Sequence, residues 1–182
     1  MDHPERAITA HWTIPAHLSR MVEIVCGEKT SAGTRDMIFE LLKTVGKHPV
    51  LCKDSPGFIH NYLQFALINA ALTLIKQEVA SPEDIDSVVR NGFGLRLASV
   101  GPIQFLDMCG LDTVQNVLKY LHETTGNAGY EPPNIIKEKV DKGELGVKTG
   151  KGFYNYEKPG SDDFWEQTNR KIIKTLKAFK ET

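Results

Sequence analysis

His11 and Glu23 are the two residues of this chain whose types and spacing most readily suggest chemistry. His11 closes a short apolar segment, within Ala10-His11-Trp12-Thr13-Ile14-Pro15. Glu23 lies twelve residues on, inside Met21-Val22-Glu23-Ile24-Val25-Cys26. Two short strands joined by a loop can set such residues side by side, and a histidine against a half-buried carboxylate is a recurring general base. The carboxylate fixes the imidazole tautomer and stabilises the imidazolium that forms when a proton is taken. Spacing alone favours a plainer arrangement, with His11 a strand-end residue and Glu23 facing solvent. A third candidate, Asn61, sits one turn inside a long apolar run that follows Asp54-Ser55-Pro56-Gly57. A carboxamide buried there must find hydrogen-bond partners or cost roughly 1–3 kcal/mol. A satisfied core asparagine and a ligand-contacting one both meet that demand.

Other polar residues rank lower. His17, His48 and His122 read as surface residues, His60 as a packing residue at a helix start, and Ser55 as turn chemistry. Gly146-Val147-Lys148-Thr149-Gly150-Lys151-Gly152 evokes a phosphate loop, but it lacks the GxxxxGK[ST] spacing and a preceding apolar strand. A lysine on such a loop could reach a cofactor phosphate or a backbone carbonyl; the plain alternative is a mobile, solvated loop.

These residues need elements to hold them. Arg6 to Trp12, Met21 to Cys26 and Pro49 to Cys52 read as strands, the second with the β-branched alternation of a partly buried strand. Thr30 or Ser31 caps a helix running to about Val45, where Gly46 ends it. Pro56 and Gly57 then let the backbone turn sharply into a helix from Phe58 to Glu78. That helix is apolar on nearly every face, which predicts burial in the middle of a domain. Ser81-Pro82-Glu83-Asp84 starts another, with a cap, a first-position proline and acidic residues in the first turn. Further helices follow from Gly101-Pro102 to Gly110, from Leu111 to about Thr124, and from Pro132-Pro133 to Gly143. Lys148 to Tyr156 is a glycine-rich loop. Asp162 to Lys180 is an amphipathic tail, with Trp165, Ile172, Ile173, Leu176 and Phe179 on its apolar stripe. Strands first and helices later divide the chain into residues 1–53 and residues 54–182. The first part is too small to be a stable domain and leaves strand edges that need neighbours.

The 182 residues carry a net charge of −1, so no polybasic surface points to nucleic acid or anionic lipid. Cys26, Cys52 and Cys109 form no CxxC pair and have no ligand spacing with the six histidines; neither a disulfide framework nor a metal site is expected. The N-terminus lacks an apolar signal core, and no apolar run approaches the ~20 residues of a membrane span. These features describe a soluble protein with reduced thiols, expected in the cytoplasm.

Taken in order, the motifs resemble the L-3-hydroxyacyl-CoA dehydrogenase family over roughly Pro4 to Tyr156. The resemblance rests on His11 to Pro15, the Leu18 to Val25 stretch with Glu23, Thr30-Ser31, and Lys53-Asp54-Ser55-Pro56-Gly57-Phe58-Ile59-His60-Asn61. It continues through Ser81-Pro82-Glu83-Asp84-Ile85-Asp86, Gly101-Pro102 to Asp107, Gly110-Leu111-Asp112 and Lys148-Thr149-Gly150-Lys151-Gly152-Phe153-Tyr154. It implies a mainly α chain: an all-helical, 6-phosphogluconate dehydrogenase-like C-terminal domain preceded by the last strands of a truncated Rossmann domain. It further implies that His11 is the base taking the hydroxyl proton as hydride leaves for NAD. Glu23 would pair with His11, Asn61 would contact the reacting oxygen and Lys148 the cofactor. The substrate implied is an acyl-CoA, and the helical domain would carry a homodimer contact.

The chain also departs from the family. Ile14 stands where an asparagine near the nicotinamide is common, and Tyr62 stands where an arginine usually follows the helix asparagine. The His-Trp-Thr-Ile-Pro-Ala turn and Gly94-Leu95-Arg96 lean toward a side branch that includes lambda-crystallin and L-gulonate dehydrogenase-like proteins. No G-x-G-x-x-G follows an N-terminal strand, so the residues that hold the dinucleotide's pyrophosphate are not expected in this chain. The leading expectation is the C-terminal part of an NAD-dependent 3-hydroxyacyl-CoA dehydrogenase of fatty acid metabolism, inactive without its cofactor domain. The alternatives are a dehydrogenase of a small hydroxy acid and a non-catalytic dimerisation module.

Overall fold

The computed structural model describes residues 1–156 and 162–180. The chain forms two compact units, Met1–Ser81 and Pro82–Thr182.

The first unit is built on three strands: β1 (Ile8–Trp12), β2 (Met21–Cys26) and β3 (His48–Lys53), in that spatial order. β1 and β2 are antiparallel, whereas β2 and β3 are parallel and joined through α1 (Ala32–Thr44). Val22, Ile24 and Val25 make β2 the central strand, since β-branched side chains fit a pleat buried on both faces. Val22 and Ile24 are fully buried against Leu42 of α1, with Ile8, Ala10 and Ile38 packed around them. Side chains alternate along a strand, so Glu23 and its register partner His11 project from the opposite face of the sheet. One face is core; the other holds the candidate site. Ser31 caps α1, its hydroxyl accepting from the Thr34 N–H, and Gly46 follows the helix end at φ +75°. Arg6 belongs to a short 3-10 turn before β1 rather than to the strand.

A tight turn leads from β3 into α2 (His60–Lys76). Gly57 at φ +81° supplies the left-handed residue expected there, and Phe58 at φ +49° follows it into the same region. None of the residues of α2 is buried, and Tyr62, Leu63, Phe65, Leu67, Ile68 and Leu72 are exposed. This overturns the expectation of a buried central helix. The apolar pattern marks a surface that favours burial, but a small unit of three strands and one further helix cannot cover all sides of α2.

The second unit is helical. α3 (Pro82–Val88) runs through a π turn, Val89–Phe93, broken at Gly92, into the short α4 (Gly94–Leu97). α5 (Pro102–Cys109) ends at Gly110, whose φ of +89° lets the chain turn directly into α6 (Leu111–Thr125). α7 (Asn134–Asp141) and α8 (Asp162–Lys180) complete the unit. On the α8 stripe Trp165, Ile173 and Leu176 are exposed; the side chain of Phe179 lies outside the described residues. Among the described residues no helix is long and apolar enough to cross a membrane.

Candidate active site

β1 and β2 place His11 and Glu23 directly opposite one another in the antiparallel register. Their side chains meet with Nδ1 of His11 2.6 Å from Oε2 of Glu23. Glu23 is 1% exposed and His11 28% exposed, so the carboxylate is sealed while the imidazole opens outward. The second carboxylate oxygen, Oε1, accepts the main-chain N–H groups of Ile59 at 2.9 Å and His60 at 2.8 Å, at the start of α2. Glu23 is therefore fully engaged: one oxygen holds the imidazole and the other holds the first turn of a helix. Burial pushes the Glu23 carboxyl up in pKa. The hydrogen bonds from His11, His60 and Ile59 outweigh it, and the carboxyl is held below its ordinary range. An ionised carboxylate only accepts, so Nδ1 of His11 carries the proton and Nε2 presents a lone pair. That is the electronic state of a general base. The solvent-facing glutamate that spacing alone favours is not what forms.

Aromatic rings frame His11. Phe58 meets it edge-on with ring centroids 5.5 Å apart, and His60 lies at 6.3 Å, tilted by 57°. Phe58 is presented by its left-handed backbone, a conformation costing of order 1–3 kcal/mol for a non-glycine residue and often found at functional sites. Asn61 occupies the next position of the same helical turn, half-buried. The local build thus brings His11, Glu23, Phe58, His60 and the start of α2 together. A cleft of about 520 Å³ on this unit is lined by Thr9, Val25, Lys29, Thr30 and Phe58, among others. Sequence reading ranked His60 as packing and missed that its main chain is tied to Glu23. The two are 37 positions apart, and no local signal reports such a contact.

The dinucleotide of this resemblance needs a strand, a glycine-rich turn and a helix N-terminus to hold its pyrophosphate. β2 does lead into α1, but through Gly27-Glu28-Lys29-Thr30, with a single glycine and an acidic side chain, and Ser31 already caps the helix. The described residues do not make that cradle.

Lys148 belongs to the second unit. It lies in a 3-10 turn, Val147–Thr149, where its ammonium is 2.6 and 2.7 Å from the two carboxylate oxygens of Asp112 in the first turn of α6. The loop carrying it is pinned. Asp107 of α5, with no exposed surface, accepts the N–H groups of Phe153 and Tyr154, both at 2.9 Å, and the Tyr156 hydroxyl at 3.0 Å. Burial and the bond to Asp107 push the Tyr156 hydroxyl up in pKa. A Cβ at Gly146 or Gly152 would overlap Asp107, which accounts for both glycines. Lys139 adds a bond to the Gly152 carbonyl at 2.6 Å. The solvated, mobile loop of the plain reading is thus replaced by a held one, and Asp107, which residue-level reading singled out for no role, is its anchor.

With this geometry in place, comparison with known proteins decides the family. Residues 1–55 match the 3-hydroxyacyl-CoA dehydrogenase NAD-binding domain and residues 57–156 match the 3-hydroxyacyl-CoA dehydrogenase C-terminal domain.

The chain belongs to the 3-hydroxyacyl-CoA dehydrogenase family.

A relative from Deinococcus radiodurans described as a probable 3-hydroxybutyryl-CoA dehydrogenase is 34% identical over 84% of this chain and 54% of its own length. A 5-formyl-3-hydroxy-2-methylpyridine 4-carboxylate 5-dehydrogenase from Mesorhizobium japonicum is also 34% identical, over 95% of this chain and 56% of its own length. The crystal structure of a 3-hydroxyacyl-CoA dehydrogenase from Archaeoglobus fulgidus matches at a TM-score of 0.86 and 33% identity, over 98% of this chain and 61% of that one. The chain spans about half the length of the curated relatives it matches. The family is one of oxidoreductases whose N-terminal domain binds NAD.

Proposed function

We propose that this chain is the base-bearing part of an NAD-dependent dehydrogenase that interconverts the 3-hydroxyl and 3-keto groups of an acyl-CoA. The single observation that carries the reading is His11, held in the base-competent tautomer by the buried Glu23 carboxylate at 2.6 Å. In this reading Nε2 of His11 takes the proton of the secondary hydroxyl, Glu23 stabilises the imidazolium, and Asn61 donates to the reacting oxygen. NAD, when bound, takes the hydride. Lys148, steadied by Asp112, is the cofactor-contacting residue of the second unit. The domain division at residues 53 and 54, the 6-phosphogluconate dehydrogenase-like classification, the cytoplasmic setting and the role in fatty acid β-oxidation belong to the same proposal. So does a homodimer, supported by the uncovered apolar faces of α2.

A second reading, dehydrogenation of a small hydroxy acid, is favoured by one observation. The Mesorhizobium relative named for a pyridine carboxylate matches more of this chain than the 3-hydroxybutyryl-CoA dehydrogenase relatives do.

Because the described residues make no phosphate cradle, the chain alone is expected to leave NADH unoxidised with acetoacetyl-CoA. The same chain completed with the cofactor-binding half of the Deinococcus relative should turn over. Preference for acetoacetyl-CoA over acetoacetate supports the first reading, and the reverse preference supports the second. Silence of the completed protein toward both rejects the dehydrogenase reading.

A further inference from the structure

His60 stands out as a polar side chain that the proposed proton transfer does not use. Its main chain is fixed by the Glu23 carboxylate at 2.8 Å, so the ring is carried on the structure that orients the base. The ring is half-buried, with its centroid 6.3 Å from that of His11. Among the described residues neither ring nitrogen makes a hydrogen bond. Neither nitrogen is sealed from solvent, so the ring is open to a ligand, and Phe58 offers only its ring to this cluster. Two imidazoles at this separation can grip one small ligand at two oxygens. A β-hydroxyacyl group has such a pair, the hydroxyl on the third carbon and the oxygen on the first.

We infer that His60 is a specificity-determining residue. With the substrate hydroxyl at Nε2 of His11, an N–H of the His60 imidazole donates to the oxygen on the first carbon, whether a thioester carbonyl or a carboxylate. The inference rests on the dehydrogenase reading and refines it: the substrate must carry an acceptor oxygen two carbons from the reacting one, and a simple secondary alcohol is a poor ligand. His11 does the chemistry; His60 sets what is held against it.

The test uses the 182-residue chain itself and needs no turnover. Histidine ring resonances, assigned through the His11→Gln and His60→Phe variants, are followed by NMR. The chain is titrated with 3-hydroxybutyryl-CoA, with 3-hydroxybutyrate, and with the CoA thioether that lacks the carbonyl. Both rings should shift with a ligand bearing the first-carbon oxygen, and His60 should stay still with the thioether. The His60→Phe variant should bind the oxygen-bearing ligand about tenfold more weakly, the worth of one hydrogen bond. Its thioether affinity should not change, and His60→Gln, which can still donate, should recover most of the loss. The thioester and carboxylate arms tell which source of the oxygen is preferred. Shifts at His11 alone, or equal loss for both ligand types in His60→Phe, overturn the role of His60 and leave the base in place. No shift at either ring with any ligand overturns this inference, whereas the dehydrogenase reading falls only if the completed protein fails to turn over.

Discussion

Replacing Glu23 by glutamine should lower turnover of the completed protein by about 10²–10⁴ while leaving the fold intact. The asymmetry of the carboxylate's contacts dictates this. Oε1 receives two main-chain N–H groups, from Ile59 and His60, and only an oxygen can stay there. The carboxamide of Glu23→Gln must therefore place its oxygen toward α2 and its NH₂ toward His11. A donor facing Nδ1 turns that nitrogen into an acceptor and moves the imidazole proton to Nε2, where the base lone pair belongs. The variant keeps its helix contact and loses its base. Loss of the Nδ1–H resonance by NMR alongside the loss of rate would verify the cause. A variant with near-normal rate would show that tautomer control by Glu23 is not needed.

The same residue sets an acid limit. The folded-state pKa of Glu23 lies below its ordinary value, so its contribution to stability is fully present above the unfolded carboxylate value of about 4.3 and is lost as pH falls through the folded one. Stability measured against pH should fall less steeply below about pH 4 in Glu23→Gln than in the parent. Identical slopes would contradict the shift.

Asp107→Ala should cost about 3–5 kcal/mol of stability, because it removes the acceptor for two main-chain N–H groups and a tyrosine hydroxyl at a site closed to water. Gly146 and Gly152 press close to this residue, so the space left behind is walled by backbone that cannot collapse far. The loss should be local before it is global. Amide hydrogen exchange at Phe153 and Tyr154 should accelerate well beyond that of α6, and denaturant titration should show the second unit melting earlier. Unchanged protection of those two amides would mean that the loop is held by Lys139 and the neighbouring turns instead.

The comparison of sequence with structure separates what is local from what is not. The strands, the Ser31 cap, the Gly57 turn and the helix starts at Pro82 and Pro102 were legible because each depends on a few adjacent residues. The pairing of His11 with Glu23 was only half legible. Twelve positions permit many registers, and the family resemblance rather than the spacing selected the one that forms. The second role of Glu23, anchoring α2, had no local signature because Ile59 lies 36 positions away. The hydrophobicity of α2 announced a face that favours burial without saying whether this chain would cover it. Asp107 was hidden for a different reason: a helical aspartate looks solvated until the glycines of a distant loop bring backbone donors onto it.

One measurement tests the central claim most directly: the rate of NAD reduction by 3-hydroxybutyryl-CoA in the completed protein, beside its His11→Gln variant. If His11 is the base, the variant should lose about 10²–10⁴ in rate, with substrate affinity nearly unchanged. Equal rates in the two proteins would mean that the hydroxyl proton leaves by another route, and that the His11–Glu23 pair is architecture alone.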